Sequence, residues 1–255
     1  MARAARRASG TGRHVPASAG GTPRLALLEI KRTRRAHLLS GAVALLLGMV
    51  AAALLETGLA GAPAYATVVN LVFLVWAGAL PNTGAWDAPG SSGSWSRPYS
   101  ASGHLGFLRS LPLTVAQVVV GRALAGCFTV LALSAAFFGP LYALSETLTG
   151  RLGAGGLALF AGFWAGVALA FWAVGLFTEL GLGSGAGLAV YALLLLVLGG
   201  VCGGLGQQGL SVVELAAGLT RDHGALPALG SLLAGTALLA AASALAARSL
   251  RGREV

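Results

Sequence analysis

Ser184 is the residue whose surroundings most invite a catalytic interpretation. It lies in a glycine-rich run from Gly181 to Gly187, and a run of this kind can expose a serine nucleophile. An intramembrane serine protease would need a glycine at position 182 and a histidine within a later apolar segment. Position 182 is a leucine instead, and His223 lies outside the apolar segments. A tight turn with close helix packing is therefore favoured, and an intramembrane enzyme, protease-like or lipid-modifying, is an alternative.

The histidines and the two cysteines predict neither a metal centre nor a disulfide. The histidines, at positions 14, 37, 104 and 223, lack the spacing of zinc ligands. Cys127 and Cys202 fall towards opposite ends of two apolar segments, whereas the Cα atoms of a disulfide approach within about 7 Å. Recognition rather than catalysis is therefore the chemistry expected of this chain.

A polar stretch from Phe107 to Arg122, FLRSLPLTVAQVVVGR, interrupts the otherwise apolar chain. Pro112 breaks a helix that would arrive from upstream, and Thr114 with Gln117 has the spacing of a capping box. In such a box the two side chains pair with free backbone N–H groups at a helix start. A helix beginning there runs directly into an apolar segment. The stretch is therefore predicted to lie at a membrane surface, within reach of a soluble partner.

The composition places the rest of the chain in a membrane. Hydrophobic residues make up 56% of the 255 residues and charged residues only 10%, against about 25% in soluble domains. Six charge-free windows each reach the roughly 18–20 residues that a helix needs to cross a bilayer. The predicted fold is an all-α integral membrane protein with six transmembrane helices. The predicted spans are Leu38–Leu55, Ala62–Leu80, Leu124–Leu144, Leu157–Phe177, Leu188–Leu205 and Ala228–Ala247.

Basic residues are concentrated on one side of these spans. Fifteen of the 17 fall before the first span, between the second and third, or after the last, and the other two are Arg151 and Arg221. The positive-inside rule then puts both termini and the loop 81–123 in the cytoplasm. The predicted organisation is a disordered basic tail 1–23, a six-span domain 24–250 and a short tail 251–255. Heavy use of Ala, Gly and Arg with a single Lys indicates a GC-rich bacterial genome, and the expected location is the bacterial plasma (inner) membrane, which the chain crosses several times.

Four basic residues just before the first span, Lys31, Arg32, Arg34 and Arg35, are predicted to anchor the chain at the membrane interface. The Arg34-Arg35 pair is also similar to a twin-arginine export signal, but five further spans follow it. The net charge of +9 could indicate nucleic-acid binding. Because the topology already accounts for these charges, the lipid bilayer is the expected partner and nucleic acid is not.

The source of energy for any transport is expected to lie outside this chain. All charged residues fall in gaps or at the edges of the predicted spans, which argues against proton- or sodium-coupled transport. A nucleotide-binding P-loop needs Gly-Lys followed by Ser or Thr, but the single lysine, Lys31, follows Ile30. A membrane subunit driven by a separate ATPase fits this pattern.

Glycines spaced four apart recur within the predicted spans. Gly162 and Gly166 form one such pair, and Gly200 and Gly204 form another. Because no side chain keeps the backbones apart, pairs of this kind let membrane helices approach closely. They predict a tightly packed bundle.

Two segments of the chain resemble those of ABC transporter permease subunits of the type-2, six-span, exporter-like family. They are LALLEIKRTRRAHLL before the first span and LRSLPLTVAQVVVGRAL before the third. The resemblance implies a cytoplasmic ABC ATPase subunit that holds the ATP, no cofactor in this chain, and a homodimer or heterodimer with a second permease. It implies an elbow helix at Arg24–His37 and a short external segment at 206–226. The residues implied to dock the ATPase are Phe107, Leu108, Arg109, Ser110, Leu111 and Pro112.

The function implied by this resemblance is ATP-driven export of an apolar, drug-like, peptide or lipid-linked substrate, with no enzymatic activity on this chain. A non-transporting membrane anchor or immunity protein is a further alternative. Seven aromatic residues in the spans are candidates to line a substrate path, although lipid-facing or interfacial positions are the simpler interpretation. They are Trp76, Phe137, Phe138, Phe163, Trp164, Phe171 and Trp172.

Overall fold

The computed structural model describes residues 21–32, 34–57, 62–85, 113–182 and 184–252. Within these ranges the chain is helical, and no strand is found there. A π-helical turn Val75–Ala79 and a 3-10 turn Leu80–Ala85 extend the third helix, and a π-helical turn Thr178–Leu182 extends the fifth. The helices in chain order are α1 (Gly21–Arg32), α2 (Arg34–Glu56), α3 (Pro63–Leu74), α4 (Val115–Leu144), α5 (Glu146–Phe177), α6 (Ser184–Gln207), α7 (Val212–His223) and α8 (Leu226–Gly252).

Six helical segments are long and apolar enough to cross a membrane, which confirms the predicted fold class. They are Arg34–Glu56, Pro63–Asn82, Val115–Leu144, Glu146–Leu182, Ala186–Gln207 and Leu226–Gly252. Each overlaps one predicted span. α4 and α5 are longer than predicted because they include Arg122 and Arg151 near their starts, where long side chains can reach polar surroundings. α1 begins at Gly21, inside the predicted tail 1–23, whose first 20 residues lie outside the described ranges, as do residues 253–255.

Glycine and serine shape the first turns of α5. Ser145 caps the helix, since its Oγ accepts a hydrogen bond from Leu148 N at 3.2 Å. Gly153 has φ 65° and ψ 173°, in the left-handed range that favours glycine, and so interrupts the helix. The charged residues of α5 before this break, Glu146 and Arg151, are thereby separated from its apolar body, which begins near the predicted start of the span.

Both ends of the described chain lie at one end of the bundle. Leu25 of α1 packs on Gly121 near the start of α4, where an added Cβ would lie 2.8 Å from Leu25 Cδ2. Arg122 of α4 pairs with Glu179 in the π-helical turn that ends α5, and Ser249 near the end of α8 bonds to the same turn. We name this the N-terminal end of the bundle and its opposite the far end. An even number of spans produces this arrangement.

An aromatic cluster fills the middle of the bundle. Trp76 stacks on Phe137 with ring centroids 4.8 Å apart and an angle of 22° between the rings. Its indole Nε1 donates a hydrogen bond to Leu133 O at 3.2 Å, so the polar atom of this buried ring is paired. The cluster comprises Phe73, Trp76, Phe137, Phe138, Phe160 and Trp164.

Most of the aromatic residues singled out from the sequence therefore belong to the interior of the chain. Phe163 and Phe171 are half-buried. The other five are buried, so the interpretation that they face lipid is wrong for them; they are Trp76, Phe137, Phe138, Trp164 and Trp172. Large rings remove the most apolar area per residue, and three neighbouring helices bury theirs against one another.

Candidate functional site

The predicted docking residues, Phe107, Leu108, Arg109, Ser110, Leu111 and Pro112, lie outside the described ranges, which resume at Leu113. We call residues 107–112 the docking segment. The capping box behind it is confirmed. Thr114 Oγ1 accepts a hydrogen bond from Gln117 N at 3.2 Å, and Gln117 Oε1 accepts one from Thr114 N at 3.0 Å. α4 therefore has a firmly paired start directly after the docking segment.

An ion pair joins the start of α4 to the end of α5. Arg122 Nη2 lies 3.1 Å from Glu179 Oε1 and 3.2 Å from Glu179 Oε2. The two side chains are only 13% and 17% exposed, so solvent screens the pair weakly. The guanidinium carbon also lies 5.9 Å from the centroid of the Trp172 ring, within cation–π range. These contacts hold α4 against the last turns of α5.

The π-helical turn Thr178–Leu182 touches two further helices. Ser249 Oγ of α8 donates a hydrogen bond to Gly181 O at 2.9 Å. α6 approaches so closely that an added Cβ on Gly187 would overlap the carbonyl oxygen of the first residue of the turn. Turns of this wider kind occur mostly as short insertions, often at functional sites. The turn thus connects α4, α6 and α8 at the N-terminal end.

A buried amide at the same end joins α3, α5 and α6. Asn82 Nδ2 donates hydrogen bonds to Tyr191 Oη at 2.6 Å and to Gly78 O at 3.1 Å, and the Tyr191 hydroxyl donates to Gly78 O as well. Gly78 belongs to the π-helical turn Val75–Ala79. Asn82 also packs against Gly175, just before the other π-helical turn, where an added Cβ would overlap Asn82 Oδ1. Both turns therefore belong to one group of contacts.

At the far end a second buried amide holds α7 in place. Asn70 of α3 is 0% exposed. Its Nδ2 donates to Cys202 O at 3.2 Å and to Leu210 O at 3.0 Å, and its Oδ1 accepts from Val212 N at 2.8 Å. Val212 N is a first-turn donor that has no partner within its own helix. One side chain thus ties α3 to the end of α6 and the start of α7.

Replacing Asn70 with leucine is expected to detach α7 from the bundle. The substitution leaves Val212 N without its partner and removes one hydrogen bond from each of the two carbonyl groups, and a buried group left unpaired costs about 1–3 kcal/mol. Hydrogen exchange of residues 208–223 should accelerate, and the midpoint of thermal unfolding should fall. The matched control is Thr236→Val, which removes an exposed hydroxyl bonded to Leu232 O within α8. Unchanged exchange in α7 would contradict the assigned role.

The two buried amides could have been singled out from the sequence, although they belong to no catalytic or docking motif. Asn70 and Asn82 are isolated polar residues in an apolar segment, and a polar group inside a membrane bundle is expected to be paired and informative. In the sequence, Arg122 and Glu179 stand out only as charges at the edges of the spans. Their pairing depends on how α4 and α5 meet, which no local pattern encodes.

The segment between α6 and α8 is mostly the short helix α7. Ser211 Oγ accepts a hydrogen bond from Glu214 N at 3.4 Å and caps it. Val213 is buried against the bundle, whereas Leu215 and Leu219 are 55% and 45% exposed. α7 therefore packs on the bundle along one side only.

Ser184 and His223, the two residues considered for an intramembrane enzyme, lie far apart. Ser184 begins α6 at the N-terminal end, and His223 ends α7 at the far end. α6 has 24 residues, a length of about 36 Å at 1.5 Å per residue. A nucleophile and its base must approach within hydrogen-bonding distance, so these two residues do not form such a pair. Across the described ranges, no group of three or more His, Cys, Asp or Glu residues is placed to hold a metal ion.

The predicted interfacial anchors lie where α1 meets α2. Lys31, Arg34 and Arg35 are exposed there, and the side chain of Arg32 is outside what the structure describes.

No protein-family model matches the chain, and no curated protein or solved structure is detectably similar to it. The contacts at the N-terminal end of the bundle therefore form the candidate functional site.

Proposed function

We propose that this chain is the membrane-spanning permease subunit of an ATP-driven ABC transporter. The contacts at the N-terminal end of its bundle support this proposal. A separate cytoplasmic ATPase powers the chain, which works as a homodimer or heterodimer and exports an apolar, drug-like, peptide or lipid-linked substrate. The observation that carries the proposal is the continuous set of contacts from the capped start of α4, through the Arg122–Glu179 pair, to the π-helical turn Thr178–Leu182.

The first step of the mechanism is transfer of movement from the docking segment to α4. The capping box at Thr114 and Gln117 pairs the free backbone groups of the first turn. A helix start that is paired in this way resists fraying. A displacement of the docking segment by an ATPase is then passed to α4 as a whole.

The second step carries the movement from α4 to the other helices. A shift of α4 moves Arg122 and, through the ion pair, Glu179. The turn that contains Glu179 is hydrogen-bonded to Ser249 of α8 and packs on Gly187 of α6. A π-helical turn has a local irregularity that can absorb a change of helix direction. ATP binding would thus shift the population between two packings of the helices at this end.

The packed aromatic cluster limits where the substrate passes. Rings from α3, α4 and α5 fill the middle of the described bundle, with Phe73 and Phe137 centroids 5.0 Å apart. A path through one protomer would have to separate this cluster. We therefore place the path between two permease protomers.

The experiment is purification of the tagged full-length chain from its native membranes in mild detergent. An ATPase with a Walker A sequence is expected to co-purify, and its rate of ATP hydrolysis should rise when this chain is present. The double variant Arg109→Glu/Leu111→Asp should abolish both effects. Its matched control is Arg221→Glu/Leu226→Asp, which changes the same residue types at exposed positions of the far end. Recovery of no ATPase, or equal loss in both variants, would overturn the proposal.

A further inference from the structure

One face of α1 carries two exposed leucines between two basic residues. Arg24, Leu27, Leu28 and Lys31 are spaced i, i+3, i+4 and i+7, so they share one side of the helix. Leu27 is 57% exposed and Leu28 is 60% exposed. Two large apolar side chains next to cations are unsuited to bulk water and suited to a boundary between polar and apolar surroundings.

The opposite face of α1 is fixed to the bundle. Leu25 and Ala26 are 5% and 2% exposed, and Leu25 packs on Gly121 of α4. The leucine face is therefore turned away from the protein. α1 ends two residues before α2 begins, and α2 is long and apolar enough to cross a membrane, so α1 is expected at the surface of that membrane.

The same character continues into the first turns of α2. Arg34 and Arg35 are exposed, and Leu38 and Leu39 are 64% and 69% exposed. Basic groups and apolar groups thus occur together over both helices at their junction. Basic side chains suit the phospholipid head groups and apolar side chains suit the acyl chains, so this junction matches the boundary between the two.

We propose that α1 and the start of α2 form a binding surface for anionic phospholipid, with Lys31, Arg34 and Arg35 on the head-group phosphate and Leu27 and Leu28 among the acyl chains. The positive charge selects an anionic head group, because each basic residue near such a surface strengthens the binding about fivefold. The leucines select a lipid rather than free phosphate, which offers no apolar partner. This surface is independent of any ATPase and so goes beyond the proposed transport function.

The test uses the full-length protein in bilayers that contain equal amounts of phosphatidylcholine and phosphatidylglycerol. Spin-labelled forms of the two lipids report how many molecules are held at the protein surface. Phosphatidylglycerol should be preferred by at least about fivefold, the factor that a single basic residue contributes. The double variant Lys31→Gln/Arg34→Gln should remove most of this preference. Inorganic phosphate, compared with chloride at the same ionic strength, should not compete.

The matched control is Arg248→Gln/Arg251→Gln, which neutralises two exposed basic residues three apart at the same end of the bundle. An equal loss of preference in the control, or an undiminished preference in the α1 variant, would overturn the proposal. Should a charge variant fail to reconstitute, a fluorophore on Leu28→Cys in a Cys127→Ala/Cys202→Ala background decides the matter. Brominated acyl chains should quench the fluorescence of this label. Quenching by aqueous iodide instead would show that position 28 faces water and would overturn the proposal.

Discussion

Replacing Gly166 with alanine is expected to destabilise the protein strongly, although it adds only one methyl group. Gly166 of α5 lies against the backbone of α8, where an added Cβ would lie 2.6 Å from Leu232 N and would overlap Ser231. From the other side, an added Cβ on Gly235 would overlap Gly166 O. Because backbone atoms cannot rotate away as side chains do, we expect a loss of about 3 kcal/mol, with a lower midpoint of thermal unfolding in detergent.

The matched control is Gly200→Ala, which makes the same change in α6. A Cβ added at Gly200 would meet no neighbouring part of the described chain within 4 Å. Alanine is favoured over glycine within a helix by about 1 kcal/mol. The control should therefore leave the midpoint unchanged or raise it slightly. Equal destabilisation by the two substitutions would show that α5 and α8 do not approach each other this closely.

Replacing Arg122 with glutamine is expected to have the second large effect. Glu179 would keep its charge with only 17% of its side chain exposed, and its partner would be gone. Breaking a buried ion pair costs about 3–5 kcal/mol, and the residual exposure of this pair places the expected loss near 2–3 kcal/mol. The double variant Arg122→Gln/Glu179→Gln should recover much of this loss, because no unpaired charge remains. Thermal unfolding of the single and double variants measures the coupling.

An exposed ion pair provides the control for this prediction. Arg221 Nε lies 3.0 Å from Asp222 Oδ1, but these side chains are 66% and 57% exposed. Pairs of this kind contribute about 0–1 kcal/mol, so Arg221→Gln should change stability little. If Arg122→Gln is no more destabilising than Arg221→Gln, the pair at the N-terminal end does not hold α4 and α5 together. Under the proposed function, the double variant Arg122→Gln/Glu179→Gln should regain stability but still fail to stimulate the ATPase, because the ion pair between α4 and α5 is absent.

Local patterns in the sequence were sufficient for the spans and for the start of α4. A helix in a bilayer satisfies its backbone within itself, so length and hydrophobicity alone locate it. The capping box depends on two residues three apart, Thr114 and Gln117, and forms as predicted. Both inferences rest on interactions between neighbours in sequence.

The tertiary structure decided which of several equivalent patterns are used. A Cβ added at Gly162 or Gly166 would meet α8, whereas one added at Gly200 or Gly204, with the same spacing, would meet no other part of the described chain within 4 Å. Asn70 and Asn82 stand out in the sequence as polar residues of an apolar segment, but only the tertiary structure shows that each is buried and which parts of the fold it joins.

What the sequence by itself determined was therefore the class of the protein, its six apolar helices and the firm start of α4. Only the tertiary structure decided that Arg122 meets Glu179, that five aromatic residues are interior, and that α1 turns two leucines outward. The physical reason is that hydrophobic length and capping act within one helix. Pairing and packing depend on which helix faces arrive opposite each other, and those faces are set by residues more than 50 positions apart in the chain, as Arg122 and Glu179 are.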